Sequence, residues 1–295
     1  MLFRSTRIFR HIPSYNALIT FGTQRDEVGG AGDLVIMDDG RIFYTYDDPF
    51  ESVAVVEVSP EWRAIGNLIV RDATMNALVY DANAELFYIV ESGWNRLIAV
   101  KTDGELQVVT EFVTLAHQQQ AVPSGLAQDP LTGDLLVALF SGQVNNYYET
   151  IISFMPGDAK IVRVNPITGQ QTDEIVGLTT AVDVAVDEDG NIYVVELTTT
   201  WPTALMPRKF DLYSPEAPPD PGGYARYTGR VTMYPADGSA PVWLADRLDA
   251  PTNITYSDGA LYVSTGQGTP GRAIIGPQGV TSIIGEIYRI TTKEP

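Results

Sequence analysis

Hydrophobic and polar positions along the chain alternate in short runs, not in helical turns, and one arrangement of them recurs. Its clearest copy is AVDVAVDEDGNIYVVEL, Ala181 to Leu197: an apolar strand, an acidic turn ending in Gly190, and a second strand. Related copies start at Asp33 (DLVIMDDGRIFYTY), Ala77 (ALVYDANAELFYIVE), Gly125 (GLAQDPLTGDLLVALF) and Asn253 (NITYSDGALYVSTG). After a variable gap, each copy is followed by an alternating third strand, at 53–58, 96–101, 160–165, 230–235 and 286–291. Fourth strands read at 63–70, 106–113, 171–178 and 241–248, with hairpin punctuation such as TDG at 102–104, PITG at 166–169 and PADG at 235–238.

Four antiparallel strands repeated in this way predict an all-β chain built as a β-propeller. A sandwich of equally short strands does not require the same text five times. At the N-terminus, Thr6–His11 and Tyr15–Gly22 read as a third and fourth strand with no first or second before them, and the last copy stops without a fourth. The count is 21 strands, which suits six blades with the first incomplete. The expected organisation is one propeller domain over 1–295, with a half-blade at 6–22. Complete blades are expected at 33–70, 77–113, 125–178 and 183–248, and the last blade at 253–291. Leu2 to Ser5 also spell a common sequencing adapter in translation, so an N-terminally truncated reading frame is expected, with any signal peptide lost.

Composition narrows the function classes. Thirty-seven acidic against 19 basic residues leave a net charge of −18 over 295 residues, which repels a phosphate backbone and excludes nucleic acid as a partner. No apolar run reaches the roughly 18 residues of a transmembrane helix. With no cysteine, disulfides, thiolate zinc sites and cysteine nucleophiles are excluded, and only His11 and His117 remain for imidazole chemistry.

Three stretches carry a resemblance: QQQAVPSGLAQDPLTGDLLVALFSG, the copy from Ala181, and RVTMYPADGSAPVWLADRLDAPTNITYSDGALYVSTGQG with GEIYRI. In order and spacing, from about Thr6 to Ile290, the chain resembles the ScyD/ScyE family, named for proteins encoded with the machinery for the pigment scytonemin. ESGWNRLIAV from Glu91 is similar to the NHL-repeat pattern. The resemblance implies a six-bladed, TolB-like propeller of the group that includes NHL-repeat, SMP-30 or gluconolactonase-like and strictosidine synthase-like proteins. Members are often exported, so it also implies an extracytoplasmic or secreted location, but it fixes no activity.

In an up-and-down blade the second-to-third connections and the blade-to-blade connections emerge on one face. Three second-to-third connections are long, 141–159, 198–229 and 267–285, a length usual for functional loops. They carry Tyr147, Tyr148, Phe154, Trp201, Phe210, Tyr213, Tyr224 and Tyr227, and are expected to lie together as an aromatic lid, with Trp201, Tyr147 and Tyr213 as ligand-binding candidates. Asp33, Asp183 and Asn253 open first strands beside the channel and are candidates for the same ligand, while Glu91 and Glu196 end second strands. For Asp33 and Asp183 the alternative is that each accepts backbone hydrogen bonds and fixes a blade junction.

Gluconolactonase-like propellers hold a divalent cation with Glu, Asn and Asp oxygens, which makes Asp183, Glu196 and Asn253 the metal candidates and calcium the cation to consider. Their Pro-Asn-Gly element is not reproduced here; the nearest texts are Pro251-Thr252-Asn253 and Met75-Asn76-Ala77. The expectation is therefore that no cofactor is needed. Glu91, Glu196 and His117 are the catalytic candidates, with His117 read more readily as a solvated loop residue. Three functions stay open: an accessory propeller binding a small organic ligand or a protein partner, a calcium-dependent lactonase or hydrolase, and a strictosidine synthase-like lyase. Nothing in the sequence sets the oligomeric state.

Overall fold

The computed structural model describes residues 4–12, 14, 17–27, 30–47, 53–58, 63–67, 74–142, 150–151, 154–203, 206–207, 223–268 and 271–292. The chain divides into two compact units, Met1–Glu111 and Phe112–Pro295.

In the first unit, β1 (Arg4–Ile12) and β2 (Ala17–Glu27) form a two-stranded antiparallel sheet. The strands β3 (Gly30–Ile36), β4 (Ile42–Asp47), β5 (Val53–Glu57) and β6 (Arg63–Asn67) then form a four-stranded sheet in sequence order. A second such sheet follows from β7 (Met75–Asp81), β8 (Leu86–Glu91), β9 (Arg96–Lys101) and β10 (Leu106–Glu111).

The second unit opens with β11 (Pro123–Gln128) and β12 (Leu135–Leu139). After the short strand β13 (Thr150–Ile151), β14 (Ala159–Val164) and β15 (Gln171–Leu178) complete that sheet in the order β11-β12-β14-β15. The next sheet takes β16 (Ala181–Val186) and β17 (Ile192–Glu196), passes over the two-residue β18 (Met206–Pro207), and ends with β19 (Gly229–Tyr234) and β20 (Val242–Leu248). The last begins with β21 (Asn253–Ser257) and β22 (Ala260–Thr265). An excursion through the hairpin β23 (Ala273–Gly276) and β24 (Gly279–Ser282) follows, and the sheet closes with β25 (Glu286–Thr291) as its third strand.

Among the described residues there are thus five sheets of the repeating kind, four with four strands and one with three, where the sequence predicts six. The difference lies in the N-terminal pair: β1 and β2 form a two-stranded sheet of their own, and no other described strand extends it.

Second strands are the most apolar of each copy where they are covered on both faces: β12 and β17 are buried at every residue. Fourth strands such as β15 are mostly exposed, which is why their sequence is the most polar of each copy. Sheets pack face to face within each unit. Phe43 of β4 meets Phe87 of β8 with centroids 4.8 Å apart in one core, and Leu136, Ala138, Val184 and Val194 share another. The acidic turns are built by their own side chains. Asp187 Oδ1 accepts from the N–H groups of Asp189 and Asn191, and Gly190 takes the left-handed φ of +84° that the turn needs.

Candidate functional site

The carboxylates at the first strands are joints. Asp33 accepts from its neighbour Leu34 N–H at 2.8 Å and, across to the next sheet, from Leu78 N–H at 3.2 Å. Asp183 repeats the arrangement in the second unit, accepting from Val184 N–H at 2.9 Å and Ile254 N–H at 2.8 Å. Each carboxylate therefore satisfies a backbone donor of the innermost strand that follows. Burial pushes the Asp33 carboxyl up to about 6, against the two N–H groups that pull it down. Asn253, half-buried at the start of β21, stands opposite Ser264 and carries no charge for such a role.

Glu91 and Glu196 form a second equivalent pair. Buried Glu91 accepts from the N–H groups of Thr74 and Trp94 with Oε1 and from Arg96 Nε with Oε2 at 2.9 Å. Buried Glu196 accepts from Thr179 N–H at 2.8 Å and from the Arg230 guanidinium. In both, an acid at the end of a second strand holds the entry to its own blade and an arginine at the start of the third strand. Both acids serve the scaffold of their own sheet, and among the described residues no group of three or more His, Cys, Asp or Glu side chains could hold a metal ion.

The insertions of the second unit do come together. β13 from the first pairs antiparallel with β18 from the second, Thr150 opposite Pro207 and Ile151 opposite Met206. Phe154 stacks on Tyr224 at 5.0 Å and 9°, and Phe140 meets the same ring edge-on at 5.7 Å. Burial raises the Tyr224 hydroxyl above the ordinary tyrosine range. From the second insertion, Arg226 holds Asp249 through two nitrogens at 2.6 Å each and donates to the Gln267 carbonyl of the third. Trp201 is 67% exposed. Tyr147, Tyr148, Phe210 and Tyr213 lie outside the described residues.

His117 stands in the connection between β10 and β11. Its Nδ1 lies 3.0 and 3.1 Å from the two oxygens of Asp158, a residue at the end of the first insertion that the sequence pattern did not single out. The imidazole is 63% exposed and the carboxylate only 4%. The pair joins residues 41 positions apart, so no spacing rule could have suggested it.

No family model matches the chain, and no curated protein matches it. Solved structures do. A TolB candidate from Agrobacterium tumefaciens is similar at TM-score 0.58, with 11% identity, over 99% of this chain and 92% of that one. The structure of a nidogen/laminin complex is similar at TM-score 0.55, with 13% identity, over 88% of this chain and 80% of the other. The fold is a β-propeller. A gluconolactonase from Xanthomonas campestris aligns at TM-score 0.44, with 19% identity, over 80% of this chain and 66% of its own, too distant to bear on the activity of this propeller.

Proposed function

We propose that the chain is an accessory, ligand-binding propeller of ScyD/ScyE type, exported from the cytoplasm, whose insertion-bearing face takes a small organic ligand or a partner. The observation that carries this reading is the interlocking of the three insertions: a β13–β18 ribbon, the Phe154–Tyr224 stack and the Arg226 bridge to Gln267. Solvated linkers have no reason to bury aromatic rings against one another; a built surface does. The lactonase and lyase readings ask Glu91, Glu196 and Asp183 for free oxygens. Those carboxylates are engaged with backbone N–H groups and, for the two glutamates, with arginines. Calcium has no part in this reading.

The test is a thermal-shift screen with phenol, anisole, tryptophan and glucono-lactone, followed by fluorescence titration of hits in the native chain and in Trp201→Ala. An aromatic compound that raises Tm and loses its fluorescence response in the variant supports the reading. Calcium-dependent hydrolysis of the lactone, abolished in Asp183→Ala, would replace it with the enzyme.

A further inference from the structure

His117 and Asp158 belong neither to the joints between blades nor to the hairpin turns. A mere loop histidine would sit on relaxed backbone. Here His117 and Gln118 are both left-handed, with φ of 53° and 59°, and the β-branched Val122 follows at 44°. Non-glycine residues in this region cost roughly 1–3 kcal/mol each and persist only where their surroundings over-determine them. Those surroundings are visible: Leu115 N–H donates to Gln119 O, Gly142 N–H to Gln120 O, and Phe140 N–H to Val122 O. The Gln119 side chain is fully buried, and neither its Nε2 nor its Oε1 has a hydrogen-bond partner among the described residues.

We propose that His117, oriented by Asp158, is the hydrogen-bond acceptor with which this face takes an uncharged ligand through a hydroxyl group, for which phenol serves as the probe. The inference rests on the binding function proposed above and names the chemistry of its ligand. Ionised Asp158 can only accept, so the Nδ1 it faces carries the proton. The lone pair is thereby placed on Nε2 of a ring that is 63% exposed. An acceptor selects a donor. The net charge of −18 disfavours anions, so the donor arrives as the neutral hydroxyl, not the phenolate. If the shared proton moves toward Nε2, the imidazolium that forms faces the Asp158 carboxylate and is paired on formation.

The chain has only two histidines, so side-chain nitrogen NMR reads His117 directly once His11→Gln has assigned the other signal. The expected result is a ring protonated at Nδ1, an Nε2 resonance that shifts saturably with phenol, and binding of phenol at least tenfold tighter than anisole, which has the same ring but no donor. Asp158→Leu removes the acceptor that holds the proton on Nδ1, so Nε2 is no longer fixed as the lone-pair nitrogen and the phenol preference should fall. The exposed His117→Phe should erase it with the fold intact. A ring protonated at Nε2 in the native chain overturns the proposal without any ligand present. Equal binding of phenol and anisole, unchanged in His117→Phe, overturns the histidine anchor while leaving a binding face. Binding of neither overturns both.

Discussion

Asp33 and Asp183 carry out one task in two places, each accepting a donor from its own strand and one from the next sheet. The consequence for Asp33 is a dependence of stability on pH. Its carboxyl titrates at about 6 in the native protein against 3.8 ordinarily, so the native state holds that proton more tightly than the unfolded chain. The contribution is fully present below pH 4 and is lost as pH rises through 6, by about 3 kcal/mol. Denaturant unfolding should show the native protein losing that much relative to Asp33→Asn between pH 4 and pH 7; parallel curves would contradict it.

Glu196 gives the opposite kind of test. If it were a ligand-binding acid, its replacement would spare stability. Because it neutralises Arg230 in the interior, Glu196→Gln should cost roughly 3 kcal/mol, read as a lowered midpoint of denaturation. Position within the repeat made all four acids stand out in the sequence. Their partners did not, because Leu78 and Ile254 become neighbours of Asp33 and Asp183 only when sheets stack, and Thr74 and Thr179 meet Glu91 and Glu196 only when each sheet folds its first strand beside its second.

The elements themselves were far more legible. Third strands read at 96–101 and 286–291 coincide with β9 and β25, because an alternating run between turn residues has few other ways to fold. The fourth strand read to 113 ends sooner, at Glu111 in β10, while 68–70 of the one read to 70 lie outside the described residues. Unforeseen was how closely first strands approach. A Cβ on Gly125 would lie 2.4 Å from Asp183 Cα and 2.5 Å from Asp183 Oδ1, so the missing acid of the third copy makes room for the acid of the fourth. Gly125→Ala should therefore destabilise the second unit by roughly 1–3 kcal/mol through overpacking, visible as a lower Tm, although alanine suits a strand better than glycine does.

At the scale of the whole molecule, the charge of −18 is distributed over a scaffold that uses many of its acids internally, in turns, joints and arginine pairs. The order of the repeat conveyed the four-stranded architecture, and the two strands expected at the chain's start form a two-stranded sheet, leaving five sheets of the repeating kind among the described residues where six blades were expected. The last sheet has its own asymmetry: no described strand borders β25 on its outer side, and Ile287 is 74% and Tyr288 44% exposed there. An edge strand of this kind offers peptide donors and acceptors beside apolar side chains, which is a template for recruitment. Crowding would then turn a feature of one molecule into a property of the solution, with association that grows steeply with concentration. Ile287→Lys should raise the concentration at which light scattering first appears and leave Tm within about 1 °C, since a solvent-facing residue adds little to the folded state.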